Sequence, residues 1–287
     1  MAEKAKAITE IFSYYVIVII LCIIFGLQIN DYFNTYITLL LSDVFGTILI
    51  WGIGIFKKTA SLYDPYWSVA PIVMALSLII YYNNFSGMVL LIFISMTIWS
   101  IRLTLNFTLD FSSFSYEDYR YKLLREKFGS LFQIVNFFGI CLFPTLIVYS
   151  AMIPFISLVQ KVSAYNSLFI IGVCVINLGT LLSLISDIQS RKFRKTRKSK
   201  AELNRTGLWK YSRHPNYLGE ILVWWGLYLS VILIGGFSPF IITGTILNTC
   251  LFLFISIPMA ENHLKTYKTD YEIYKKETNM LLPIKLF

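Results

Sequence analysis

Eight apolar stretches of bilayer-spanning length divide this chain almost end to end. They are Ile11–Ile29, Tyr36–Phe56, Tyr66–Tyr82, Met88–Leu105, Leu131–Leu158, Ser167–Leu184, Tyr217–Ile234 and Phe240–Met259. A helix needs about 20 apolar residues to cross the hydrocarbon. Inside lipid only helices and closed barrels satisfy every backbone N–H and C=O. Continuous rather than alternating apolar runs select the helix. Of the residues 56% are apolar and 14% charged, with mean hydropathy +0.65. A soluble domain carries about a quarter charged residues. The expected fold is therefore all-α, a polytopic transmembrane helical bundle of about seven or eight spans. Asn83-Asn84 marks the turn between the third and fourth, and Gly235-Gly236-Phe237-Ser238-Pro239 that between the last two.

The basic residues orient it. Eight spans put both termini on one side, and the segments on that side hold 23 of the 25 Lys/Arg; only Lys161 lies opposite and Arg102 within a span. The positive-inside rule makes that side, with both termini, cytoplasmic. Gln189–Arg213 alone holds ten basic residues against one acid, Glu202, so one loop carries the whole net charge of +9. Anchored to spans at both ends, it suits phosphates or anionic lipid heads and not nucleic acid. The cysteines (Cys22, Cys141, Cys174, Cys250) lack metal or disulfide spacing. The two histidines, His214 and His263, form no HxxxH pair, so no metal site is expected. Ile11–Ile29 lacks a cleavage pattern and reads as a retained span.

The stretch Thr206–Glu220 (TGLWKYSRHPNYLGE) is a basic turn feeding an apolar helix. Pro215 suits the first helical position, where its missing N–H has no partner to lose. Asn216 and Glu220, at i and i+4, share a face. An acid one turn inside hydrocarbon is costly, which makes Glu220 a functional candidate or one half of an interhelical pair. Asp43, mid-span, reads as a helix–helix polar contact. Asp187 and Arg191 could pair along their helix or bind phosphate. Asp64, before Pro65, is either a helix N-cap or a desolvated acid that stays protonated and donates to a carbonyl. Polar clusters at Ser61–Pro71, Trp99–Arg102, Glu117–Tyr121, Asp187–Arg191 and Glu261–His263 all fall at cytoplasmic span ends, which points to one site there. No GxGxxG follows a strand, so a Rossmann domain is excluded.

These motifs, with Trp224-Trp225-Gly226, Asp64–Ser68, Tyr271, Tyr274 and Pro283, resemble the steroid 5-alpha reductase-like membrane family, in its broad branch of unassigned substrate. The match runs from about Tyr63 to the C-terminus. It divides the chain into N-terminal spans (1–56) and a reductase-like domain (57–287) whose last part (187–287) would bind cofactor. The resemblance implies NADPH in a cytoplasm-facing cavity, with hydride delivered to an enone or other carbon–carbon double bond of a lipid. Asn216 and Glu220 would grip the nicotinamide end, and Asp187, Arg191, Arg194, Tyr211 and Arg213 would contact the cofactor, with His214 and Tyr217 beside them. Glu261 stands where the steroid enzymes have a histidine. Asp64 stands at their ketone-binding glutamate and Trp99 at its partner tyrosine. Indole donates one hydrogen bond but cannot give up a proton as phenol can.

Two other classes compete. Membrane isoprenylcysteine and phospholipid methyltransferases share an Arg-His-Pro helix entry and bind S-adenosylmethionine. A non-catalytic lipid-binding or scaffold protein would pair its polar residues internally and leave no pocket among Asn216, Glu220 and Asp64.

Overall fold

A computed structural model describes residues 2–161, 166–235 and 239–282. The turn read at Gly236-Phe237-Ser238 and the Pro283 match lie outside them. Every named element among the described residues is helical, and eight helices are long and apolar enough to cross a membrane. The helices are α1 (Ala2–Ile29), α2 (Thr35–Lys57), α3 (Tyr66–Tyr81), α4 (Gly87–Asp110), α5 (Tyr119–Phe128), α6 (Phe132–Val135), α7 (Phe143–Val159), α8 (Phe169–Thr196), α9 (Pro215–Gly235), α10 (Pro239–Leu251), α11 (Ile257–Lys265) and α12 (Tyr271–Glu277).

Several spans run past the apolar stretches read from the sequence; the first starts at Ala2 and the eighth reaches Lys265. The sixth does not stop at Leu184: α8 continues to Thr196, so Asp187 and Arg191 lie along a helix, as their i, i+4 spacing allows, and Arg194 lies on it too. Lysine and arginine are good helix formers, and hydropathy alone cannot follow a helix out of the membrane. The fourth likewise runs on to Asp110. The fifth begins early, because α5, α6 and α7 form one almost continuous helix over Tyr119–Val159. The expected interfacial helix is thus its polar entrance.

Two π-helical segments interrupt the spans, Asn136–Leu142 before α7 and Phe252–Ser256 before α11. Each precedes a proline, Pro144 and Pro258, at the start of the next helix. Proline has no N–H to bond four residues back and its ring crowds that carbonyl. The ladder widens locally instead of breaking.

The tightest seam joins α8 to α9 through small residues. A Cβ built on Gly226 would lie 2.6 Å from Ile176 N and 2.7 Å from Gly172 O; one on Gly179 would lie 2.6 Å from Gly219 O. Gly172 and Gly179, like Gly219 and Gly226, are seven residues apart, so each pair faces the partner helix. Such stripes let backbones touch where lipid offers no hydrophobic drive for association. Ser183 Oγ completes the seam by donating to Asn216 O at 2.9 Å.

A polar ladder then joins α4 to α8. Arg102 donates to Asp187 Oδ2 at 3.1 Å, Arg191 to Asn106 Oδ1, and Arg194 to Asp110 Oδ2 at 3.2 Å. One face of each helix supplies all three rungs. The remaining core packs α3, α4, α7, α8 and α9 around Trp99, Trp224, Met152 and Ile176. On the far side, Tyr66 of α3 donates to Asp43 Oδ1 at 2.9 Å, the interhelical contact expected of that acid.

Candidate active site

At the end of the bundle where α3 begins and α4 and α8 end, a cavity of about 360 Å³ opens between the spans. Asp64, Arg120 and Tyr121 line it together with Asn216, Tyr217 and Glu220 of α9; Arg102, Asn106, Asp187 and Asn248 line it as well. Both π-segments contribute lining, through Gly139 and Ile140 and through Phe252, Ile255 and Ser256. Widened turns at a site wall fit the general association of π-bulges with function.

Glu220 is 4% exposed and fully engaged. Its Oε1 accepts from Arg102 Nη2, and its Oε2 accepts from Trp99 Nε1 at 2.8 Å. Arg102 simultaneously holds Asp187, so one guanidinium bridges acids from α8 and α9. Fixed in this way, the Glu220 carboxylate keeps one orientation at the cavity wall. Trp99 is 0% exposed and lies behind that wall, stacked edge-on against Trp224.

Asp64 is not the N-cap of α3. Pro65 occupies the N-cap position of α3 without a side-chain bond, while Asp64 Oδ1 accepts from the Tyr121 hydroxyl. The Asp187–Arg191 pair also gives way to partners on α4. Of the expected cofactor residues, the cavity thus gathers Asp187, Asn216, Tyr217 and Glu220, whereas Arg191 and Arg194 continue along α8 away from it.

Arg213, His214 and Glu261 form a separate buried knot. Glu261 Oε1 accepts from Arg213 Nε at 2.8 Å and lies 3.3 Å from His214 Nε2; its Oε2 meets Lys275 at 3.0 Å. Arg213 also donates to the carbonyls of Lys275 and Thr278. The backbone N–H groups of Arg213 and His214 donate to Asn279 and Met280, pinning the C-terminal segment to the entry of α9. Upstream, Gly207 takes φ +58° beside Gln189, whose Oε1 accepts from Leu208 N. Tyr211 is 54% exposed and is not among the residues that line the cavity. Tyr217 links the knot to the cavity, stacked on His214 with ring centroids 5.3 Å apart.

Burial pushes the His214 imidazole below its ordinary value; Arg213 adds to the lowering and the Glu261 contact opposes it. The folded state therefore favours neutral histidine, while the unfolded chain takes up a proton near pH 6.5. Stability from this site is complete above about pH 6.5 and declines as pH falls to and through the folded value. Melting temperature in detergent should drop between pH 7.5 and 5.5, and His214→Gln should flatten that slope. An equal slope in the variant would remove His214 as the cause.

Arg102 and Tyr121 belong to two of the polar clusters at span ends, Trp99–Arg102 and Glu117–Tyr121, though the sequence assigns neither a role of its own. The partner of Glu220 could have been found by the reasoning that exposed it, since an ionised group inside a span needs a partner. The sequence does not single out Asn248, which is the same kind of signal in weaker form.

An all-helical membrane protein with an acid-lined cavity at one end of its bundle is the class so defined. A family model described as "Protein of unknown function (DUF1295)" matches residues 50–278, and the chain belongs to that family, within the steroid 5-alpha reductase-like superfamily. It is 28% identical over 229 residues to "Uncharacterized protein C594.04c" of Schizosaccharomyces pombe, covering 69% of this chain and 65% of that one. It is 29% identical over 115 residues to "3-oxo-5-alpha-steroid 4-dehydrogenase 1" of Bos taurus, covering 40% of this chain and 41% of that one. The chain thus spans less than two thirds of the length of either relative. No solved structure gives a significant match.

Proposed function

We propose that the protein is an integral-membrane, NADPH-dependent reductase of a carbon–carbon double bond in a lipid. The observation that carries this reading is the cavity itself, whose lining brings Asp64 together with Asn216 and Glu220. A scaffold with internally paired polar groups would have no such space. Family membership and the bovine oxidoreductase favour reduction over methyl transfer.

The donor set suits a nicotinamide. Asn248 is 2% exposed and its Oδ1 has no hydrogen-bond partner among the described residues. A buried acceptor in that state costs free energy until a donor reaches it, and a carboxamide N–H supplies one. Asn216 and Glu220 would hold the same end from α9. The phosphates would lie toward the basic end of α8, where Lys192, Lys195 and Lys198 are exposed and Arg191 and Arg194 stand on the α4 ladder. When bound, the dinucleotide supplies hydride; the chain orients it, keeps water from it and holds the substrate oxygen near Asp64. The charge asymmetry of the sequence turns this end toward the cytoplasm.

Thermal stabilisation in detergent tests the reading. NADPH at 100 times its Kd should add about 2.7 kcal/mol of stability, with S-adenosylmethionine inert. Stabilisation by S-adenosylmethionine alone would overturn it in favour of a methyltransferase.

A further inference from the structure

We propose that a second, separate lipid site lies between α1, α2 and α3, and that it takes a single-chain lipid ending in an uncharged hydroxyl. A slot of about 160 Å³ runs there, lined from Tyr15 to Asn30 on α1, from Thr35 to Asp43 on α2 and from Tyr66 to Tyr81 on α3. It shares no lining residue with the cavity of the candidate active site. Its α1 and α2 walls precede residue 50, where the family match begins, so family membership assigns nothing to it.

The packing explains why the slot exists. α1 and α2 lie close together: the rings of Phe25 and Phe45 are 4.7 Å apart, and a Cβ on Gly26 would lie 2.9 Å from Ser42 Oγ. α3 is tied to α1 near both ends. Tyr15 donates to Leu62 O at 2.9 Å, in the turn just before α3, and Asn30 Nδ2 donates to the Tyr81 hydroxyl at 2.9 Å. Between these ties α3 lines the gap with the short side chains of Ala70, Val73 and Ser77, which leave it unfilled. Ile23, Leu27 and Tyr81 line the slot and are themselves exposed, so it opens sideways toward the acyl chains.

Asp43 sets the chemistry. It lies eight residues from the Thr35 end of α2 and fourteen from Lys57, about 12 Å and about 21 Å of helix. That places it deep in hydrocarbon, and it is 6% exposed. Its Oδ1 accepts from Tyr66, whereas its Oδ2 has no hydrogen-bond or ionic partner among the described residues. Glu220, by contrast, is engaged at both oxygens. An acceptor left open in hydrocarbon costs free energy until a donor reaches it, and Asp43 lines the slot. A hydroxyl answers that need. An ammonium head would have to shed its hydration at mid-bilayer, and an acceptor-only or anionic head offers Oδ2 nothing. Size selects the rest of the molecule. A cavity of about 150 Å³ holds one benzene ring, so a fused-ring skeleton exceeds the slot. A straight chain can lie along it and emerge past Ile23 and Leu27.

The test places the purified chain in phosphatidylcholine nanodiscs with a hexadecanol that carries a photoactivatable diazirine at mid-chain. Cross-linked residues are read by mass spectrometry. Label is expected on the slot residues of α1, α2 and α3. Unlabelled hexadecanol should displace it about tenfold more effectively than hexadecyl methyl ether, which has the same chain and no donor; the ratio is the worth of one hydrogen bond. Asp43→Leu should abolish that preference, and Val73→Phe, which fills the slot from α3, should abolish the labelling. Equal displacement by the ether would mean that any bilayer chain occupies the slot, and overturns the proposal. So does an absence of slot label, or an unchanged preference for the alcohol in folded Asp43→Leu. If neither variant folds, the alcohol-to-ether ratio on wild type still decides.

Discussion

Arg102→Met will be the most damaging single polar substitution in the protein. The guanidinium is 8% exposed and holds Glu220 of α9 and Asp187 of α8 from α4. Removing it leaves two acids facing each other in a cavity wall with one indole N–H between them. Stripping one partner from a buried ion pair costs about 3–5 kcal/mol. The expected result is a sharp fall in melting temperature and yield. Neutralising both acids as well, with Glu220→Gln and Asp187→Asn, should restore most of the stability, because the uncompensated charges are then gone. On the proposed reading it should not restore NADPH stabilisation, since that reading sets the Glu220 carboxylate at the nicotinamide end. A single variant that melts with wild type would show that the triad contributes nothing to the fold.

Gly226→Leu follows closely. A Cβ there already meets the backbone of Ile176 and Gly172 at 2.6 and 2.7 Å. Backbone cannot rotate aside as a side chain can. Alanine should cost about 1–3 kcal/mol, the usual range for overpacking. Leucine should prevent α8 and α9 from closing, and should abolish folded protein. The seam sets the distance between Asp187 and Glu220, so the alanine variant should lose NADPH affinity out of proportion to its stability. Gly52→Ala is the control. Nothing lies within 4 Å of its Cβ, and alanine is the better helix former by about 1 kcal/mol. Equal melting of the Gly226 and Gly52 variants would refute the tight seam.

What the sequence made legible divides along physical lines. Spans follow from apolar length, and the polar end of the bundle from where charged and aromatic motifs interrupt those spans. Both are local properties, and both hold here. Glu220 stood out because an acid in hydrocarbon is an anomaly in any context. Its partner lies 118 residues earlier in the chain, and only packing selects Arg102 over the nearby basic loop. Asp64 illustrates the limit differently. Its sequence context allowed a cap or a site residue equally, and the structure turns its carboxyl toward Tyr121, a contact set by how α5 docks on the turn at Ala60–Tyr63. Arg213 and Glu261 matched a family pattern, yet in this chain they tie the C-terminal segment to α9. A motif records which residues sit together in sequence and not which of their atoms remain free.

The two π-segments carry a consequence for register. Each accommodates one residue more than an α-helix would over the same rise, and one helical residue corresponds to about 100° of rotation and 1.5 Å of translation. The surplus residue before Pro144 therefore decides which face of Tyr119–Val135 points inward. Taken out, it would turn the entrance of that span by over a quarter revolution and carry Tyr121 off the cavity wall, though every apolar residue would still lie in hydrocarbon. The segment before Pro258 stands in the same relation to Asn248. Membrane insertion is indifferent to that rotation, whereas the chemistry of the cavity is not. A single-residue change in length at either place can thus separate being a membrane protein of this family from having its site.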